Sequence, residues 1–190
     1  MPFPLPLRTD RLRLRLHHPD DLDWMVAVHS RPDVARFLLD DPWTVARGAE
    51  VLDKRLARTD LDGEEGAVAL ILEHDGAPVG DISLWLTDRE HRSAEIGWVL
   101  DPAHTGRGFA REAVRTVLTA GFDHGRLHRV VAQMDARNTA SARLADAVGM
   151  RREAHFRQDF WSKGEWTDSF VYAVLASDPR PVTRRGNRAE

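Results

Sequence analysis

The stretch from Glu95 to Glu112, EIGWVLDPAHTGRGFARE, is where residue types and spacing first point to chemistry. An apolar run leads into Pro102. A loop of small residues follows, Thr105-Gly106-Arg107-Gly108-Phe109-Ala110, and a helical pattern opens at Phe109. Backbone N–H groups at the start of a helix lack partners, and the helix dipole adds partial positive charge, so such a junction attracts an anion. Gly106, Gly108 and Ala110 have little or no side chain, which lets phosphate oxygens reach the main chain. A loop that needs glycine only for its turn would look the same, because short glycine motifs are weakly specific. Two other nucleotide loops do not fit. Arg111 takes the third glycine position of G-x-G-x-x-G, and no Gly-Lys-Ser/Thr follows.

Other chemistry is excluded or thin. The chain has no cysteine, which removes disulfides, thiolate zinc sites and cysteine nucleophiles together. Among its nine histidines, His17 and His18 are adjacent and would point apart on a strand. His124 and His128 are four apart, but Gly125 interrupts the helix. No H-E-x-x-H occurs, so no metal is expected. A net charge of −3 argues against a nucleic-acid partner and is compatible with a cationic acceptor such as an amine. No run of about 18 apolar residues is present to span a membrane. Met1 to Leu7 has prolines and no apolar signal segment, so a cytoplasmic protein is expected.

These groups need a scaffold. At 190 residues and 42% hydrophobic, the chain fits one domain, residues 1–178, with a core of its own. The Pro-, Arg- and Gly-rich residues 179–190 read as a disordered tail. Leu12, Leu14 and Leu16 alternate along a first strand, Arg11 to Leu16. Leu22, Met25, Val26 and His29 have helical spacing, and Asp33 to Leu39 reads as a short helical turn. Thr44 reads as the N-cap of a helix turning Val45, Ala49, Leu52 and Leu56 inward. Ala67 to Leu72 is a strand buried on both faces, joined through Asp75-Gly76 to Val79–Leu86. Ala94 to Leu100 follows, then a helix with Phe109, Ala113, Val114, Val117, Leu118 and Phe122 on one stripe. Arg129–Met134 is a buried strand and Thr139–Val148 a helix. Two long strands, Arg151–Trp161 and Glu165–Leu175, close the domain. The order is α/β: about seven strands in a mixed sheet, with four helices on its faces.

At the loop the sequence resembles the GNAT acetyltransferases, whose signature is Gln/Arg-x-x-Gly-x-Gly/Ala. Gly108 and Ala110 match; Thr105 stands where Gln or Arg is usual. Leu7-Arg8-Thr9-Asp10-Arg11-Leu12-Arg13-Leu14-Arg15 is similar to the opening of the RimJ/RimL branch, which acetylates protein N-terminal amines. Asn138-Thr139-Ala140-Ser141 with Gly149-Met150, and Trp161 to Asp168, resemble its later motifs. The resemblance implies a mostly antiparallel sheet splayed at the cofactor site, and acetyl-CoA as cosubstrate. Main-chain groups of Gly106, Arg107, Gly108, Phe109, Ala110 and Arg111 would then line the diphosphate. Amides near Val99, Leu100 and Asp101 would meet the pantetheine and thioester.

The resemblance also implies roles for side chains. Glu95 corresponds to a general base that often acts through water; a solvated carboxylate, or one paired with Arg92, is the other reading. Asp81 is the reserve base. Ser141 replaces the tyrosine that protonates the departing thiolate in many relatives, Ala145 standing in the usual tyrosine position. A first-turn hydrogen bond within its helix is the alternative for Ser141. Asn138 meets pantetheine or caps the helix, and both can hold at once. Trp43, Trp161 and Trp166 fall where relatives line the acceptor cleft. The acceptor is a protein N-terminal α-amine or a small amine such as an amino acid, polyamine or antibiotic. A noncatalytic acyl-CoA-binding module is the third reading. A monomer or homodimer fits each.

Overall fold

The computed structural model describes residues 3–179. The expected disordered tail lies outside the described residues from position 180 onward. In chain order the elements are β1 (Leu7–Arg8), β2 (Arg13–Leu16), α1 (Leu22–His29), α2 (Pro32–Ala35), α3 (Val45–Leu56) and β3 (Thr59–Asp60). β4 (Ala67–His74), β5 (Ala77–Asp88), β6 (Ser93–Leu100), α4 (Phe109–Asp123), β7 (Arg129–Asp135), α5 (Thr139–Ala147), β8 (Arg151–Ser162) and β9 (Glu165–Leu175) follow. The strands form one open sheet in the order β1-β2-β4-β5-β6-β7-β9-β8, with β3 also on β4. Every pair is antiparallel except β6–β7. Two of its nine strands have only two residues, and α2 adds a four-residue helix to the four longer ones.

The core lies between the sheet and α4. Ile82, Leu84 and Ile96 on β5 and β6 pack with Phe109, Val114 and Val117 on the helix, all nearly or wholly buried. Alternation along β5 sends Asp81 and Ser83 to the opposite face, which α1 and α3 cover. Thr44 caps α3 by accepting from the Arg47 amide at 3.1 Å. The inward stripe of α3 differs from expectation. Val45 is 66% exposed, and Gly48 with Leu52 faces α1 instead. A Cβ on Gly48 would stand 2.4 Å from Val26 Cγ2, so the two helices approach closely there and the stripe rotates to suit. No helix among the described residues is long and apolar enough to cross a membrane.

β8 is an edge strand with exposed or half-buried residues throughout. Its register with β9 shifts between Phe156 and Phe160, and Gln158 sits at φ 48°. Arg157, Gln158 and Asp159 thus stand against the single residue Asp168, a bulge that bends the edge.

Candidate active site

The parallel pair defines the site. β6 and β7 are bonded only at Ser93–Glu95 with Arg129–Val131, although both strands run on. Beyond Glu95 they diverge, leaving a gap lined on one side by β6 main chain. Asp101 N–H donates to Val79 O on the β5 side at 2.9 Å. Antiparallel alternation then turns Val99 toward β5 as well and leaves the main-chain groups of Trp98 and Leu100 facing the gap. Of the expected Val99–Asp101 amides, that of Leu100 is presented, and Trp98 joins it. The Asp101 carboxylate accepts from Ala103 N–H at 2.9 Å and shapes the turn into the loop.

The loop ends on the start of α4. Gly108 is the N-cap, at φ 81°, and no side chain caps the helix. The first bond inside the helix runs from Glu112 N to Gly108 O at 3.1 Å. The amides of Phe109, Ala110 and Arg111 therefore lack helical acceptors, the arrangement an anion requires. The Phe109 side chain is fully buried. It anchors the helix entry and leaves only its main chain for a ligand. Gly106, at φ 75°, has open space where a side chain would be.

Sequence reasoning misses a brace behind this loop. Arg11 Nη1 donates to Arg107 O at 2.9 Å, and Arg11 Nε donates to Glu112 Oε2 at 2.8 Å. Thr9 Oγ1 bonds the other Glu112 oxygen. Burial pushes the Glu112 carboxyl up, but Thr9 and Arg11 outweigh it and hold the group below its ordinary range. The residues belong to the N-terminal motif, yet partners about a hundred positions apart leave no local signal.

Glu95 occupies the last paired position before the gap opens, opposite Trp85. It is half-buried, and desolvation pushes its carboxyl up, toward better proton affinity. Arg92 is engaged elsewhere, donating to Asp62 at 2.8 Å and to Gly125 O at 3.1 Å. Asp81 is a different case. It is buried, accepts from His29 Nε2 at 2.9 Å, and lies 2.9 Å from Arg55 Nη1. The Arg55 contact is off the hydrogen-bonding angle, so it is an ion pair only. Burial alone would raise the Asp81 carboxyl; Arg55 and His29 hold it well below the carboxylate range. Buried and already engaged by His29 and Arg55, the Asp81 carboxylate is not free to meet an incoming amine, which argues against it as the reserve base. His29 stacks on Trp43 with ring centroids 3.9 Å apart, and Trp43 is buried. Trp43 thus serves this cluster rather than an open cleft.

On the other wall, Asn138 Oδ1 accepts from Ser141 N–H at 3.0 Å, so Asn138 caps α5. The Ser141 side chain is half-buried in the first turn, and Ala145 is fully buried. Over the mouth, the β8–β9 tip reaches the N-terminal segment: Lys163 Nζ donates to Ala35 O at 2.9 Å and also to Leu38 O. Trp161 and Trp166 pair edge-on at 5.4 Å and are more than half exposed. Four carboxylates on the hairpin and the elements beside it are paired: Asp33 with Arg31, Asp135 and Glu165 with Arg137, and Asp168 with His155. Among the described residues, no three His, Asp or Glu side chains converge as a metal would need.

The sequence matches the Acetyltransferase (GNAT) domain over residues 11–151. It is 28% identical to an uncharacterized N-acetyltransferase, p20, of Bacillus licheniformis, over 89% of this chain and 95% of the relative. The fold superposes on spermidine N-acetyltransferase from Vibrio cholerae, solved with CoA and spermine, with a TM-score of 0.77 at 22% identity, covering 89% of this chain and 98% of that one. Mycobacterium smegmatis RimJ, solved with CoA-disulfide, gives 0.76 at 23% identity, covering 87% and 82%. With the splayed parallel pair and the uncapped helix beside it, these matches identify the chain as a member of the GNAT family, an acetyl-CoA-dependent N-acetyltransferase.

Proposed function

We propose that the acceptor is the α-amine of a protein or peptide N-terminus, acetylated by direct attack in a ternary complex. The observation that carries this reading is the pairing of four carboxylates on the hairpin and the elements beside it. A polyamine needs several unpaired carboxylates; here Asp33, Asp135, Glu165 and Asp168 each already have an arginine or histidine. A monocation costs less rearrangement. The exposed Trp161–Trp166 pair offers flat apolar surface for the residues behind an N-terminal amine.

The chemistry asked of the protein is modest. An α-amine has a pKa of about 7.7–8.0, against roughly 10.4 for lysine, so a useful neutral fraction exists near pH 7. Acetyl-CoA supplies the activated acyl group. The amide groups of Arg107, Gly108, Ala110 and Arg111 hold its diphosphate, and the main chain of Trp98 and Leu100 orients the arm in the gap. Glu95, through water, takes the proton that the amine nitrogen loses as it bonds to the acetyl carbon. Ser141 gives a proton to sulfur as the carbon–sulfur bond breaks, leaving CoA thiol and the amide; the serine regains a proton from water and Glu95 returns one to water.

A panel of N-terminal peptides, amino acids and spermidine, followed by release of free thiol from acetyl-CoA, tests the reading. Peptides should turn over with the highest kcat/KM. Turnover of spermidine with inert peptides would overturn the acceptor assignment. CoA binding with no turnover of any amine would point to a noncatalytic module.

A further inference from the structure

We propose that Arg11 is a positioning residue for the coenzyme: it grips the Arg107 carbonyl and so turns the Gly108 amide toward the diphosphate. The inference rests on the reading that the start of α4 receives that diphosphate. Its basis is peptide geometry. In a planar trans peptide the carbonyl of one residue and the N–H of the next point in opposite directions. Arg11 Nη1 holds Arg107 O from behind the loop at 2.9 Å. The Gly108 N–H must therefore point away from Arg11, to the side where the free amides of α4 emerge.

Arg11 is itself fixed from several sides. Its N–H donates to Glu112 Oε1 at 3.0 Å, and its carbonyl accepts from His74 Nδ1 at 3.0 Å. Its guanidinium lies 4.7 Å from the centroid of the buried Phe109 ring. The other ring nitrogen of His74, Nε2, lies 3.3 Å from Arg107 Nη2. The gripped peptide is thus held by both its carbonyl and the Arg107 side chain.

The residue type matters. Arg11 bonds Glu112 through Nε and Nη2 while Nη1 reaches the carbonyl. One guanidinium fork can serve a carboxylate and a carbonyl at once; a lysine ammonium cannot reproduce that fixed geometry. Because Glu112 neutralises much of the Arg11 charge, the main effect on an anion comes through the amide it orients rather than through a bare cation.

The test compares CoA with pantetheine, which lacks the diphosphate, in the parent, Arg11→Lys and Arg11→Gln. Calorimetry should show CoA affinity falling by roughly 10–100-fold in both variants, the worth of a hydrogen bond to a charged group. KM for acetyl-CoA should rise in parallel, while pantetheine affinity and kcat at saturation stay within about twofold. On adding CoA, the Gly108 amide proton should shift in the parent and not in Arg11→Lys. Arg11→Lys keeps the charge and stem, so it serves if Arg11→Gln does not fold. A parent that binds CoA no better than pantetheine would overturn the diphosphate reading itself. A parent that prefers CoA, with variants that keep the preference, would overturn the role of Arg11 alone. Equal loss for CoA and pantetheine would mark general damage and overturn it as well.

Discussion

Replacing Gly108 with alanine separates loop strain from direct obstruction. Gly108 has φ 81°, where an L side chain costs about 1–2 kcal/mol. The added Cβ would lie 3.4 Å from Arg11 Nη2, an ordinary contact, and on the Arg11 side of the loop. The methyl group therefore does not enter the anion site. In the free variant the loop can shed strain by rotating the peptide between Arg107 and Gly108. Bound CoA demands the original rotation, so whatever strain the free loop sheds returns as lost affinity. The ceiling is the strain itself: about 5- to 30-fold in Kd. Gly164→Ala is the control, since Gly164 has φ 83° and open space around it at the β8–β9 tip. It should lower Tm by a few degrees, as about 1–2 kcal/mol does in a chain of this size, and leave CoA affinity alone. Calorimetric titration and thermal melting of both variants supply the numbers. Unchanged CoA affinity in Gly108→Ala would show that the cofactor does not use this backbone geometry. A loss well beyond 100-fold would show that the methyl blocks the ligand, contrary to its direction here.

Three further outcomes follow from the side chains. Glu95→Gln should lower kcat by about 10²–10⁴-fold with CoA binding retained, and should abolish the acidic limb of the rate profile, which desolvation places above the ordinary glutamate range; steady-state kinetics across pH decide it, and a rate within a few fold of the parent would remove the base. Ser141→Ala should reduce kcat and kcat/KM together by about tenfold or more, because an acid acts only as the carbon–sulfur bond breaks; full activity would leave water as the proton donor. His17 is buried, and desolvation pushes its imidazole from 6.5 down to about 4. The unfolded chain therefore binds the proton more readily, so this part of the stability is complete above pH 6.5 and is lost as pH falls toward 4, by about 3 kcal/mol at most. Melting of His17→Leu against the parent from pH 7 to 4.5 should show a shallower decline, and parallel curves would contradict it.

Periodicity alone makes much of this architecture legible in the sequence. The α4 stripe, the Thr44 cap, the doubly buried β4 and the Asp75-Gly76 turn depend on residues within a few positions of each other, and each is found in the fold. The failures involve partners far apart in the chain. Spacing turns Val45 inward, but the close approach of Gly48 to Val26 rotates α3. Asp81 reads as available because nothing near it in sequence announces His29 or Arg55. The brace from Thr9 and Arg11 to Glu112 is visible in sequence only as a motif without a task. The gap between β6 and β7 is legible only through the family resemblance, because how far the two strands stay paired is fixed by the fold. The register that shows Leu100 and Trp98 turned into that gap exists only once β5 has paired.

The bulge in β8 affects how the molecule meets its neighbours in a crowded solution. An edge strand of twelve residues offers unpaired amides and carbonyls to any passing extended chain. Here the offer is broken in the middle. Asp168 accepts from the Gln158 amide and from His155 Nε2, both at 2.9 Å, and so pins the three-against-one bulge. A visiting strand could pair with one half of the edge or the other, but could not extend one ladder across both. The same carboxylate is held below its usual range, first by the Gln158 amide and then by His155. Protonating it in strong acid would weaken the pin, while the two extra residues of β8 would still keep the two halves of the edge out of line. Resistance to edge-to-edge association should therefore rest on two extra residues in one strand, with an aspartate to hold them, far in chemical terms from the acetyl transfer that the rest of the sheet supports.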